Sequence, residues 1–174
     1  MVVYGLRIRN NKMKKYALYK RSYKVESYKI CKVKEFMKEN KEQNNEDFDR
    51  WNNIKKDINA QKVNTILFPQ LGEIWMCALG KNIGREQNGG GKNFSRPMLV
   101  IKKFNNEIFW VLPLSTKQKK IDFYYNFKDK NNQDVSVIIS QIRLIYIKRF
   151  ERKLYDMDTP DVVEIKKRLR EYLI

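Results

Sequence analysis

Apolar and polar positions along the chain fall into helical periods at both ends and strand-like runs between them. Ile30, Val33, Phe36 and Met37 recur at helical spacing, which predicts a helix over about residues 25–40. KENKEQNNED (38–47) is polar and unpatterned and reads as a linker. In EDFDRWNNIKKDINAQ, Phe48, Trp51, Ile54 and Ile58 stand three and four apart, one face of an amphipathic helix that should dock on the domain behind it. Acidic residues at its start and Lys55–Lys56 further on suit the helix dipole.

From Phe68 the period shortens. GEIWMCAL, PMLVIKKF, EIFWVLPL, IDFYYNF, SVIIS and IRLIYI are short, β-branched and aromatic, and separated by polar turns. FNNE joins the second and third as a hairpin turn, with Asn105 and Asn106 able to take positive φ, and KDKNNQ joins the fourth and fifth. Six such strands predict an antiparallel sheet that curls into a small barrel. A short helical turn is expected near Lys148–Arg152. In TPDVVEIKKRLREYLI, Thr159 suits an N-cap, Pro160 the first turn and Asp161 the dipole, with Val162, Ile165, Leu169 and Leu173 as the buried stripe.

Charge changes the picture more than composition does. The chain carries 37 Lys+Arg against 20 Asp+Glu, a net charge of +17, which favours polyanionic partners. Residues 1–45 hold 13 of those cations against 4 acids, with Tyr16, Tyr19, Tyr23 and Tyr28 interleaved. That segment could stack on and neutralise RNA, or could be a helix packing aromatics on the domain. The absence of histidine removes the usual general base and metal ligand. Cys31 and Cys77 have neither disulfide nor zinc spacing, which fits a reducing cytoplasm. No apolar run approaches membrane-spanning length, so a soluble protein without membrane contact is expected.

Candidate chemistry sits where loops meet strands. Arg96 stands before Pro97, where a glycine-rich loop ends and a buried strand begins; Ser115 and Thr116 stand where the next strand runs out. A cation and hydroxyls at neighbouring strand ends are what holding a phosphate requires. Arginine before proline is also an ordinary solvated loop residue, and Ser-Thr after a strand an ordinary turn cap.

GEIW (72–75), IGREQ (83–87), RPMLVI (96–101), LPLST (112–116) and SQIRLI (140–145), in this order, resemble the MazF/PemK family of toxin–antitoxin endoribonucleases over about residues 70–174. The resemblance implies an α+β, mainly β fold: a small antiparallel barrel like SH3 and CcdB with a C-terminal helix. A helical extension would precede it, divided as a basic segment 1–45, an amphipathic helix and linker 46–67, and a barrel domain 68–174. It also implies a homodimer, metal-independent and cofactor-free cleavage of single-stranded RNA, and a cognate antitoxin. DNA would be contacted only through an antitoxin complex.

Carried over by motif, Arg96 falls on the family's catalytic arginine and Ser115 on its catalytic threonine, with Thr116 adjacent. Glu86 falls on a motif glutamate and is the candidate base, although it could equally pair with a nearby Lys. Gln141 falls on the family's glutamine before the IR segment, or is a polar side chain satisfying the ladder. Gln87, Arg85, Lys117 and Arg143 complete the expected RNA contacts. Arg85 stands where the family usually has Ser, and the glycine-rich QNGGGKNFSRP is longer than the usual connection, so this loop is expected to reshape the RNA groove or to act as a flexible lid. Trp75, Phe109 and Trp110 read as core or dimer residues. The alternative function is a non-catalytic module of the same fold, gripping a protein target as CcdB-like inhibitors do, or binding RNA through the basic N-terminal segment.

Overall fold

The computed structural model describes residues 32, 38, 42–64 and 66–173. The chain divides into two units, Met1–Asp47 and Phe48–Ile174. In the first, the described residues 32, 38 and 42–47 are helical; most of the helix expected over 25–40, the interleaved tyrosines and Cys31 lie outside the described residues. The linker expected at 38–47 is thus helical where described. Its Lys, Glu and Gln are good helix formers, and Lys38 and Glu42 pair at 3.9 Å one turn apart.

The helix α1, described over 42–60, carries the expected face into the second unit. Trp51 is buried with Ala78 and Phe94, and Ile54 and Ile58 pack against them. Seven strands follow: β1 Glu73–Ala78, β2 Ser95–Lys103, β3 Ile108–Ser115, β4 Tyr124–Lys128, β5 Asp134–Ile138, β6 Arg143–Tyr146 and β7 Phe150–Asp156, then α2 Thr159–Leu173. All described pairings are antiparallel, in the order β4-β5-β3-β2-β1-β7, with β6 also on β3. Register shifts in β1–β7 and β2–β3 bend the sheet. β4 and β7 end this order without pairing to each other, so the curled sheet is not closed.

Why the central strands read as unbroken apolar runs follows from burial on both faces. Ile74, Leu99, Ile101 and Leu112 point into one cluster, which α2 covers with Val162, Ile165 and Leu169. Their neighbours Trp75, Met98, Val100 and Val111 point into a second cluster with Phe109, Ile145, Ile147 and Phe150. Alternation is therefore visible in the packing and invisible in the polarity pattern.

Four expectations are corrected. The helical turn expected near Lys148–Arg152 is a 3-10 turn over Ile147–Arg149 only, and Phe150 to Asp156 (FERKLYD) form the unexpected strand β7, paired with β1. Its exposed Glu151, Arg152 and Lys153 hide the strand, as charge on an edge strand does. The FNNE turn needs no positive φ: the Asn105 carboxamide oxygen accepts from the Glu107 and Ile108 amides at 2.8 Å each. Positive φ falls instead on Asn132 of KDKNNQ and on Phe94. Leu173 is 60% exposed and outside the buried stripe. The Val162 amide donates to the Asp158 carbonyl, so α2 starts a residue earlier than Thr159 as cap would give.

Gly80 fixes how α1 meets the sheet. Its φ is +99°, and a Cβ there would lie 2.3 Å from Trp51 Cε2. Gly80→Ala is expected to destabilise the fold by about 2–4 kcal/mol, combining left-handed strain with displacement of the indole. Urea unfolding should show a lower midpoint at unchanged slope. A shift below about 0.5 kcal/mol would mean that the Trp51 contact does not constrain this position.

Candidate active site

Arg96 is the second residue of β2, opposite Cys77 on β1, and its side chain leaves the sheet toward the end of β3. Nε donates to the Asn88 carbonyl at 2.6 Å and Nη1 to the Leu114 carbonyl at 2.7 Å. The guanidinium thus joins the loop before β2 to the last turn of β3. Burial lowers its pKa from the ordinary arginine value, partly offset by Tyr124. It remains a cation at neutral pH, half stripped of water, with Nη2 uncommitted among the described hydrogen bonds.

The cleft this guanidinium lines holds about 510 Å³. Ser115, Thr116, Lys117 and Gln87 line it as well. Ser115 ends β3; its Oγ accepts from the Lys117 amide at 3.1 Å, and the buried Ser136 hydroxyl donates to the Lys117 carbonyl at 3.0 Å. These two bonds set the turn that carries Thr116, whose side chain is exposed. A guanidinium, an ammonium and two hydroxyls lining one cleft can hold a phosphate and neutralise charge growing on it.

The loop from Leu79 to Phe94 is tied down at each end. Leu79 and Gly80 amides donate to the Phe94 carbonyl, Gly89 N to Gly80 O at 2.8 Å, and Gly90 and Ser95 exchange both backbone bonds. Gly89 lies so close to Phe94 that a Cβ would overlap its carbonyl. Gly89 thus permits a close backbone approach that a side chain would block. Gln141 is the outer clamp: Oε1 accepts from the Gln87 amide at 2.6 Å and Nε2 donates to the Arg85 carbonyl at 3.1 Å. Asn82 and Asn88 add inner bonds, the Asn82 amide donating to Asn88 Oδ1 at 2.6 Å and Asn82 Nδ2 to the Gln87 carbonyl at 2.7 Å.

Five of the nine sequence-selected residues therefore line one cleft: Arg96, Ser115, Thr116, Lys117 and Gln87. Gln141 supports the loop beside it. Glu86 and Arg143 are elsewhere, facing each other at 3.7 Å along a neighbouring groove, with Arg143 Nη1 also donating to Asn82 Oδ1 at 3.2 Å. The Arg85 side chain is exposed. Trp75 and Phe109 are buried; Trp110 is 37% exposed and packs edge-on against Phe104.

Sequence reasoning missed Asp129, Gln133 and Tyr155, which also line the cleft. Tyr155 sits on the unexpected strand β7, and its phenol is pushed up to about 12 by burial and by Asp129. Asp129 and Gln133 belong to a turn whose polar residues read as turn chemistry alone; Asp129 Oδ1 accepts from the Asn131 and Gln133 amides.

Residues 70–173 match the family described as PemK-like, MazF-like toxins of type II toxin–antitoxin systems. The chain belongs to this family. No curated protein sequence matches it significantly. Among solved structures it is similar to MazF from Deinococcus radiodurans, at 18% identity and TM-score 0.48, covering 62% of this chain and 97% of that one. A mycobacterial endoribonuclease matches at 15% identity and TM-score 0.47, covering 63% and 95%. A MazE–MazF complex from Deinococcus radiodurans matches at 14% identity and TM-score 0.46, covering 62% and 96%. α1 precedes the family match, whereas every residue that lines the Arg96 cleft lies within it. Among the described residues, no helix is long and apolar enough to cross a membrane.

In this PemK/MazF-like chain the Gln141 clamp gives a direct test. Gln141→Leu leaves the Gln87 amide and Arg85 carbonyl without their partner, a cost of about 1–2 kcal/mol in loop opening. Native-state hydrogen exchange at Gln87 should accelerate roughly 5–30-fold. Unchanged exchange would mean that the loop is held without this side chain.

Proposed function

We propose that the protein is a toxin endoribonuclease that cuts single-stranded RNA sequence-selectively and without a metal ion. The observation that carries this reading is the Arg96 guanidinium, held by two backbone carbonyls in the same cleft as Ser115, Thr116 and Lys117. RNA supplies its own nucleophile, so the protein needs only to orient and to stabilise. The 2′-oxygen attacks the adjacent phosphorus, the bond from phosphorus to the 5′-oxygen breaks, and the products are a 2′,3′-cyclic phosphate and a 5′-hydroxyl end. Arg96 and Lys117 would neutralise the phosphorane, while Ser115 or Thr116 would donate to a non-bridging oxygen. The 2′-hydroxyl proton passes to a base, the role proposed for Glu86, and the leaving oxygen takes up a proton from an acid, the second role proposed for Arg96. Gln87 and Gln141, with Arg85 and Arg143, would contact the bases and phosphates of the strand.

Family membership supports the toxin part of this reading, and the cleft chemistry supports the nuclease part. One structural neighbour is an endoribonuclease in complex with its cognate antitoxin, which supports an antitoxin as partner for this chain too. A homodimer is proposed by the same resemblance, with DNA reached only through an antitoxin complex. A cytoplasmic site of action suits the substrate. A non-catalytic binding module is the competing reading. It is favoured by one observation, the position of Glu86 outside the Arg96 cleft.

Cleavage of a long single-stranded RNA in EDTA, followed by end-group mapping, separates the two. Wild-type protein should cut at discrete sites and leave cyclic phosphate ends, and Arg96→Ala should lower the rate by about 10²–10³. RNA bound but left intact by the wild type would overturn the enzyme reading. Glu86→Gln tests the base independently: general-base catalysis predicts a loss of roughly 10²–10⁴. A loss smaller than about tenfold would leave Glu86 as the partner of Arg143 alone.

A further inference from the structure

The groove that holds Glu86 and Arg143 is larger than the Arg96 cleft, about 600 Å³. One of its walls is α1, from outside the family match; the others are the loop after β1 and the strand β6. Four cations line it, Lys55 from α1, Lys81 from the loop, Arg143 from β6 and Arg149 from the turn after it, against two carboxylates, Asp49 and Glu86.

Arg149 is the most confined of the four. Nη1 donates to the Ala78 carbonyl at 2.9 Å and the guanidinium lies 5.6 Å over the Trp51 ring. No carboxylate pairs with it among the described ion pairs. Burial lowers its pKa, and the positive charge of Arg143 lowers it further. Glu86 answers Arg143 at 3.7 Å, and the repulsion between the two guanidiniums leaves Arg149 to attract a further anion. At the lip, Ile83 is 77% and Leu144 61% exposed, apolar surfaces on which a base can lie.

The groove and the Arg96 cleft share a wall. Asn82, Ile83 and Glu86 face the groove, Gln87 and Gly90 face the cleft, and the Gln141 clamp holds the ridge between them. We infer that the groove between α1 and β6 is a second RNA-binding groove, carrying phosphates of the same strand beyond the ridge from the Arg96 cleft. Resting on the RNA reading of that cleft, it gives α1 a function: the helix supplies a basic wall and lengthens the footprint. An acidic peptide would also be attracted by the four cations. The Arg96 cleft on the other side of the same loop favours a polynucleotide, whose phosphates recur along the strand.

The experiment uses the full chain and 2′-O-methyl oligonucleotides, which bind but lack the free 2′-hydroxyl that cleavage would need. Fluorescence anisotropy compares a strand of about five nucleotides, enough for the cleft alone, with one of about twenty that reaches the groove. Lys55→Gln/Lys81→Gln is compared with Lys166→Gln/Lys167→Gln on α2, an equal charge loss away from the groove; neither pair lies in the proposed catalytic cleft. The groove pair should weaken the long strand about tenfold and reduce its log–log salt slope by about 1.4, two phosphate contacts at roughly 0.7 each. The short strand should be unaffected.

Equal weakening of both lengths, or an equal effect of the α2 pair, would overturn the inference in favour of diffuse charge. So would unchanged binding of the long strand, or a loss confined to a synthetic acidic peptide. Cleavage of a short, unmodified RNA by the wild type reports on the nuclease reading separately, because the proposed base Glu86 itself lines the groove. Cutting by the wild type, with an unchanged salt slope in the groove variant, would sink only the groove. Absence of RNA binding by the wild type at either length would sink both.

Discussion

The Arg96 guanidinium ties three parts of the molecule together, and the candidate site depends on that tie. It is covalently on β2, it bonds the Asn88 carbonyl of the long loop, and it bonds the Leu114 carbonyl at the end of β3. Both carbonyls accept from the one guanidinium. Their pull orients the cation before any substrate arrives, so little side-chain entropy remains to be lost on binding. The same two bonds set a constraint on replacement. Lysine would keep the charge but could not span both carbonyls with a planar fork.

The core makes that geometry stiff. β1, β2 and β3 are buried on both faces, and each successive residue enters one of two clusters. A one-residue slip of β2 would exchange Leu99 and Ile101 for Met98 and Val100 across the sheet and turn Arg96 away from the β3 end. α2 seals one face, and on the other Trp75 and Phe109 meet Phe150 edge-on. Function and register are therefore coupled: the apolar runs that look featureless in the sequence are what aims the cation.

Much of this was legible before the structure. Apolar runs between turn clusters gave the strands β1 to β6, and the spacing of Phe48, Trp51 and Ile58 gave the docking face of α1. Arg96, Ser115 and Thr116 could be paired because each sits where an apolar run meets a polar loop. β7 was illegible because an edge strand carries its charges outward, and with it went Tyr155. The helical residues 42–47 were read as linker because a helix exposed on all sides has no apolar period to display. The glycines of the long loop signalled mobility, whereas Gly89 is required by contact with the Phe94 backbone, a tertiary fact that no local pattern carries. Glu86 and Gln87 are adjacent in sequence and face different grooves, a separation set by the Gln141 clamp 54 residues away from Gln87.

Burial of Arg96 has opposite effects on its two proposed duties. Losing water strengthens its attraction for a phosphorane, because charges interact more strongly where solvent is excluded. The same loss destabilises the bare cation, and its pKa falls. A lowered pKa is the direction that eases proton donation to a departing oxygen, yet an arginine starts so far above neutrality that it stays charged while waiting. The two carbonyls resolve the conflict: each accepts a charged hydrogen bond and restores part of the solvation that burial removed. An approaching phosphate would place negative charge beside the remaining nitrogen and hold the proton on the guanidinium. Stabilisation of the phosphorane is therefore the stronger of the two roles that this geometry supports, and donation to the leaving oxygen the weaker.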